Sequence, residues 1–182
     1  MQRNYDALMQ VPLFEQMIAT LKDKGRFDAQ LGAAEFKTLT DQLMNVMLES
    51  PDFQALGVRL KSKPTTMVEM KPDDTGALYG KVGISSPIGA DVQLWANFAN
   101  GRQPHEIVLA KCQTKTDGGL PAKLVSGKID SEVKKALASP NRAIFMAMKE
   151  VVNPQGIDLT GISLHFSEQK LQLALGGKPI GK

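Results

Sequence analysis

The stretch Ile157-Asp-Leu-Thr-Gly-Ile-Ser-Leu-His-Phe166, followed by Ser167-Glu-Gln-Lys170 and Leu171-Gln-Leu-Ala-Leu175, decides how this chain folds. Ile157 and Leu159 alternate with Asp158 and Thr160; past Gly161, Ile162, Leu164 and Phe166 alternate with Ser163 and His165. An apolar period of two is the mark of a half-buried strand. Gly161 shifts the phase by one residue, which predicts a bulge. Ser167 to Lys170 turn the chain, and Leu171, Leu173 and Leu175 return along the same face. The result is an antiparallel hairpin with one apolar side that other elements must cover. The tail from Gly176 to Lys182 is expected to fray.

Upstream, Ser139 can cap a helix with Pro140 at its first position, running to about Val152 and stopped by Asn153-Pro-Gln-Gly156. Its core, Ala143 to Val152, is apolar nearly all round, which predicts burial on most sides or an apolar neighbour from outside the chain. Asp130 reads as the N-cap of the preceding helix, which carries Val133, Ala136 and Leu137. At the other end, Pro12 to Lys24 is amphipathic through Leu13, Phe14, Met17, Ile18 and Leu21, with Gly25 as its stop and Leu8, Met9 and Val11 as a lead-in. A second helix is expected from Thr40 or Asp41, with Thr40 as cap, to Glu49 before Ser50-Pro51.

Between these helices the period is two. Strands are expected around Leu56, Val58 and Leu60, over Thr65–Lys71, through Leu78, Gly80, Val82 and Ile84, through Val92, Leu94, Ala96 and Phe98, and over Ile107–Lys111. Pro72 to Gly76, Ser86 to Gly89 and Asn100-Gly101 supply the turns. No crossover helix separates these strands, so the sheet is an antiparallel meander rather than a parallel Rossmann sheet. The fold class is therefore α+β: a curved antiparallel sheet packed on amphipathic helices. We expect one domain over 1–182, with 1–54 mainly helical and 55–182 forming the sheet with an inserted helix pair at about 130–152. The segments from Thr40 to Asp52 and from Ile129 to Asn141 echo one another, Asp41 against Asp130. Either two related helix-plus-sheet halves or independent use of the same caps and stops explains this.

Composition narrows the chemistry. One cysteine among 182 residues excludes a disulfide framework and cysteine-cluster metal sites, and two histidines leave little for a zinc site. No metal, no cofactor and no catalytic residue is expected. Phosphate loops, dinucleotide fingerprints, nucleophile elbows and metalloprotease helices are absent. His105 and His165 read as surface residues, Cys112 as a small apolar one, and Asp73-Asp74 lacks the spacing of a calcium loop. The net charge of +3 divides into −2 over residues 1–101 and +5 over 102–182. Single lysines and ten aromatics in all do not describe a nucleic-acid reader. A solvated face or a weakly basic face touching lipid headgroups fits better. No run of 18 apolar residues occurs, and the start lacks the apolar core of a signal peptide, so a soluble protein is expected. Nine methionines either fill an irregular core or line an adaptable apolar pocket.

Residues 77–176 carry a further pattern. Ile129-Asp-Ser-Glu-Val-Lys-Lys-Ala-Leu-Ala-Ser-Pro140, an apolar helix, Gly156 to Phe166, and Leu171 to Leu175 resemble the LmeA-type phospholipid-binding proteins, which are similar to the tubular lipid-binding class. The resemblance implies a curved antiparallel sheet around a long helix, an apolar channel and a place in the cell envelope, with no catalytic residues. The missing signal peptide and the added N-terminal helical segment depart from it and put the cell-envelope location in doubt, which leaves cytoplasm and cell envelope both open. On this reading a lipid or other long apolar molecule lies between helices and sheet, lined by Ile144, Phe145, Met148, Leu164, Phe166, Leu171 and Leu173. Lys134 and Lys135 meet its headgroup, with peripheral contact to a membrane. The alternative is an assembly module whose apolar helix around Phe145 packs on a second copy or a partner protein.

Overall fold

The computed structural model describes residues 12–48, 59–61, 64–86 and 89–180. The expected lead-in at Leu8 to Val11, the strand positions Leu56 and Val58, the turn residues Pro87 and Ile88, and the stop at Ser50-Pro51 lie outside them.

Helix α1 (Pro12–Lys24) buries Phe14, Met17, Ile18 and Leu21, the stripe its spacing predicts. Gly25 ends it in the left-handed region (φ 67°), a conformation without steric cost for glycine, and donates its N–H to the Leu21 carbonyl. The chain then forms an unexpected strand, β1 (Arg26–Leu31), which inserts a sheet element into the expected helical segment. Helix α2 (Ala33–Leu48) begins seven residues earlier than Thr40. Thr40 is therefore no cap: it sits inside the helix, and its hydroxyl donates to the Phe36 carbonyl.

The long sheet follows. β2 (Arg59–Leu60) and β3 (Thr65–Lys71) pair in succession along one side of β4 (Thr75–Ser86), whose other side pairs with β5 (Ala90–Asn100), and β5 pairs with β6 (Ile107–Gly118). All pairings are antiparallel. Pro72-Asp73-Asp74 closes the β3–β4 hairpin, with Asp74 at φ 56° and Lys71 opposite Thr75, a three-residue loop with a left-handed last position. Helix α3 (Leu120–Leu137) returns along β6, and α4 (Pro140–Val152) follows.

Asp130 is likewise no cap. It lies in the middle of α3, whose N-cap is Gly119 with Pro121 in the first turn. Helix α4 has the expected bounds, although Ser139 makes no capping hydrogen bond through its side chain. It is covered on most sides but for one ridge. Pro140, Ala147, Met148, Val151 and Val152 face inward, while Arg142, Met146 and Glu150 form an exposed ridge.

The final hairpin is as expected. β7 (Ile157–Ser167) and β8 (Lys170–Pro179) pair with a register shift between Leu159 and Gly161, leaving Thr160 as the extra residue of the bulge. The tail does not fray from Gly176: β8 continues to Pro179, and Gly176 stands opposite both Arg26 and Gly161. With β1 on the far side of β8, this hairpin makes a three-stranded sheet in the order β1-β8-β7. The molecule is thus α+β with two open antiparallel sheets. The echoed segments lie at opposite edges of the long sheet, α2 ahead of the strand it packs on and α3 behind its own.

One core joins the two sheets. Helix α1 covers the inner face of β1 and β8, and α4 covers β7. Phe27, Leu31, Leu164, Phe166, Leu171, Leu173 and Leu175 meet Phe14, Met17, Leu21, Met148, Val151 and Val152 there. Phe98 and Ile107 bring in one end of the long sheet.

Candidate functional site

The seam between the sheets is built on Phe166. Its backbone N–H donates to Asn100 Oδ1 (2.7 Å), and its carbonyl accepts from Asn100 Nδ2 (2.9 Å), so a side-chain amide stands in for a backbone rung. Two residues back, the Leu164 N–H donates to the His105 carbonyl (3.0 Å). The free edge of β7 is thereby covered by the end of β5 and the connection that follows it, and an open strand edge is avoided there. Asn141, in the first turn of α4, holds the same connection: it accepts from the Ile107 N–H and donates to the His105 carbonyl.

Away from that seam the inner face of the long sheet is only partly covered. Helix α2 packs on β3 and helix α3 on β6, the two edges, and their main strand contacts do not fall on the central β4 and β5. Cross-strand register sets Thr66 beside Gly80 and Leu94, Val68 beside Leu78 and Ala96, and Val82 beside Val92 and Thr116. Of these, Val68, Leu78, Gly80, Val82 and Leu94 are half-buried, Thr66, Val92 and Ala96 beside them are buried, and the strand ends at the seam close over Phe98 and Ile107. The strip is a furrow with an apolar floor. Leu78 to Val82 spans about 14 Å at the usual strand rise. Gly80 leaves a gap in the floor, since a methyl group there would meet only Leu94 Cβ, at 4.0 Å.

Two matched polar latches hold the walls. On one side the Thr66 hydroxyl donates to Asp41 of α2, which also pairs with Lys37 one turn away. On the other the Thr114 hydroxyl donates to Asp130 of α3 (2.6 Å), which pairs with Lys134 (2.6 Å). The Lys134 ammonium, then the Thr114 hydroxyl, hold the Asp130 carboxyl below the usual carboxylate range, and Asp130 in turn raises Lys134. Cys112, on the same strand, is half-buried; burial and then the Asp130 charge push its thiol up. A raised thiol is a poor nucleophile at neutral pH. Along α3, Ala122, Ile129, Val133 and Leu137 line the wall.

The two ends of the furrow differ. At the seam α4 touches both α2 and α3 and bridges them. At the other end stand Gly89, Ala90 and Gly118, where α3 begins. Thr116, in the row nearest that end, has its hydroxyl oxygen buried without a hydrogen-bond partner.

The residues nominated from sequence divide. Met148, Leu164, Phe166, Leu171 and Leu173 are buried together in the joint core. Ile144 and Phe145 are half-buried at its margin. Lys134 is engaged with Asp130, and Lys135 is exposed on the next position. Sequence reasoning missed the furrow floor because its residues, Leu78, Gly80, Val82 and Leu94, read as ordinary strand positions; the signal was the glycine on an otherwise apolar face. Among the described side chains the methionines do not converge: Met17 and Met148 are buried, Met70 lies at the core margin, and Met67 and Met146 are exposed; Met9, Met44 and Met47 lie outside them. Among the described residues no group of three or more His, Cys, Asp or Glu could hold a metal ion, and no helix is long and apolar enough to cross a membrane.

Two concavities lie on the outer faces of the sheets. The larger, about 920 Å³, is a trough over β8 of mixed lining, with small residues Ala174 and Gly176 between Arg26, Asp28 and Gln30 on one side and Ser163 and His165 on the other. The smaller, about 360 Å³, adjoins Trp95, Asn97 and Lys111, where Trp95 stacks obliquely on Tyr79 at 5.3 Å.

The chain matches no family model and no curated protein. Among solved structures, the crystal structure of a lipopolysaccharide binding protein is similar over 90% of this chain, at 10% identity and a TM-score of 0.24. This chain spans 42% of the length of that protein. A likeness so loose carries no argument about the ligand.

Proposed function

We propose that the protein binds a lipid or another long apolar molecule without chemical turnover, and that the furrow over β4 and β5 receives it. The observation that carries this reading is the half-covered floor of Leu78, Gly80, Val82 and Leu94, left open because α2 and α3 stand on the edge strands. Apolar surface left half in water gains about 25 cal/mol for each Å² that a ligand covers. An alkyl chain offers that cover without demanding hydrogen bonds from a floor that has none to give. The Thr116 hydroxyl, buried and unpartnered at the open end, supplies a contact for the ligand's polar end. Ile144 and Phe145 border the closed end on α4, and the buried members of the expected lining brace it from behind.

Uptake of a fluorescent fatty acid by the purified protein tests this directly. The reading expects saturable binding of one molecule per chain in the wild type and its loss in Gly80→Phe, which fills the gap in the floor. Equal uptake by the two proteins would reject the furrow as the site.

A further inference from the structure

Helix α3 begins with an inversion of the usual amphipathic order. Its first turns bury only Ala122, while Leu120 and Leu124 are 72% and 77% exposed. Helical spacing sets these leucines on one ridge, with Lys123 on one flank and Lys128 on the other, each within about 80° of it. Both lysines are exposed, and among the described residues neither is in an ion pair. Residues 118 to 129 contain no acidic side chain. Asp117, just before them, is already paired with Lys115 (2.9 Å).

We propose that this tip is a docking surface for an anionic phospholipid bilayer. Two leucines projecting from one helical turn present apolar surface that the fold leaves in water, and the acyl boundary of a bilayer can bury it. Lysines bracketing them can lay their methylene stems along the interface while the ammonium groups reach phosphates. The charge decides between occupants. A second copy of this tip would set unpaired lysines against lysines, whereas an anionic headgroup layer complements them. Docking here presents the open end of the furrow, beside Gly89 and Gly118, to the membrane. That last step rests on the furrow reading; the docking itself does not.

Co-sedimentation of the full chain with vesicles tests the tip. The vesicles are phosphatidylcholine with or without phosphatidylglycerol, and circular dichroism and fatty-acid uptake are measured on every variant. Wild type is expected to sediment with the anionic vesicles. Leu120→Asn/Leu124→Asn should lower the partition coefficient by at least about tenfold, and each of Lys123→Gln and Lys128→Gln by about fivefold on anionic vesicles only. Both effects should leave uptake of dissolved fatty acid unchanged, which separates failure of the tip from failure of the furrow. Wild type that stays in the supernatant, or a leucine variant that sediments like wild type, would overturn the proposal. So would a concentration-dependent dimer lost in the leucine variant with vesicle binding unaltered.

Discussion

The ring of Phe166 on β7 rests against the backbone of Gly76 on β4: a methyl group at position 76 would lie 2.6 Å from Cζ and 2.7 Å from Cε1. The two sheets approach that closely here because glycine has no side chain. Phe166 is itself buried, and its backbone is held by both arms of the Asn100 amide, so the closely packed ring has little space to move into. Gly76→Ala should therefore destabilise the fold by roughly 1–3 kcal/mol through overpacking. Urea unfolding measures this. A Gly76→Ala protein as stable as wild type would mean that the seam yields.

Asn100 is the second half of that joint. Asn100→Ala removes a donor and an acceptor at once and leaves the Phe166 N–H and carbonyl without partners at a partly buried site. The expected cost is about 1–3 kcal/mol for each group left unsatisfied, less where water enters. Asn100→Asp keeps the acceptor and loses the donor, so its stability should fall between the two.

Gly80 makes the opposite forecast from Gly76, on the same strand. Nothing but Leu94 Cβ, at 4.0 Å, meets a side chain placed there. Gly80→Val should leave stability unchanged or raise it by about 0.5–1 kcal/mol, because a β-branched residue suits a strand and restricts the unfolded chain. The same variant should bind fatty acid more weakly. Thermal melting and ligand titration on one sample check both statements.

The latch at Asp130 makes stability depend on pH with a definite sign. Its folded carboxyl titrates below the unfolded one, so its contribution is complete above the ordinary carboxylate range and is lost as pH falls through the depressed folded value. Lys134, raised by the same pairing, loses its part only as pH rises through its folded value in the alkaline range. Asp130→Asn should accordingly lose less melting temperature than wild type between about pH 6 and about pH 3. Equal losses would show that the latch does not open with protonation.

Cys112 offers a chemical check on the same wall. Burial and the Asp130 charge keep its thiol protonated to higher pH than that of a free cysteine. Its alkylation by iodoacetamide at mildly alkaline pH should be slower than that of cysteine in an unfolded peptide, and should speed up on unfolding.

Much of the fold is legible in the sequence where local signals agree. Pro12 and Gly25 bound a helix whose apolar stripe is regular, and the shift of phase at Gly161 marks a bulge that the register confirms. β1 escaped although Phe27, Ala29 and Leu31 alternate with Arg26, Asp28 and Gln30, and Gly25 and Gly32 bracket them. Six residues between two helices carry little weight until β8, 140 residues later, is seen to pair with them. The first half of α3 escaped for another reason. Its leucines face water and an alanine faces the core, so no apolar stripe announces the helix. Thr40 and Asp130 read as caps because both residue types favour helix starts; Thr40 instead bonds back to the Phe36 carbonyl inside α2, and tertiary contact to Thr114 claims Asp130. The buried lining residues are legible as apolar but not as core or ligand contact, a distinction set by which strands the helices cover.

The central claim is that the furrow over β4 and β5 holds an alkyl chain, and a ladder of fatty acids of increasing length tests it most directly. Each methylene laid on the floor is worth about 0.8 kcal/mol, or about fourfold in affinity. Binding to wild type should therefore tighten step by step until the furrow is filled, then level off, and the ladder should shorten in Gly80→Phe. Affinities that do not change with chain length, or a ladder identical in the two proteins, would contradict the account.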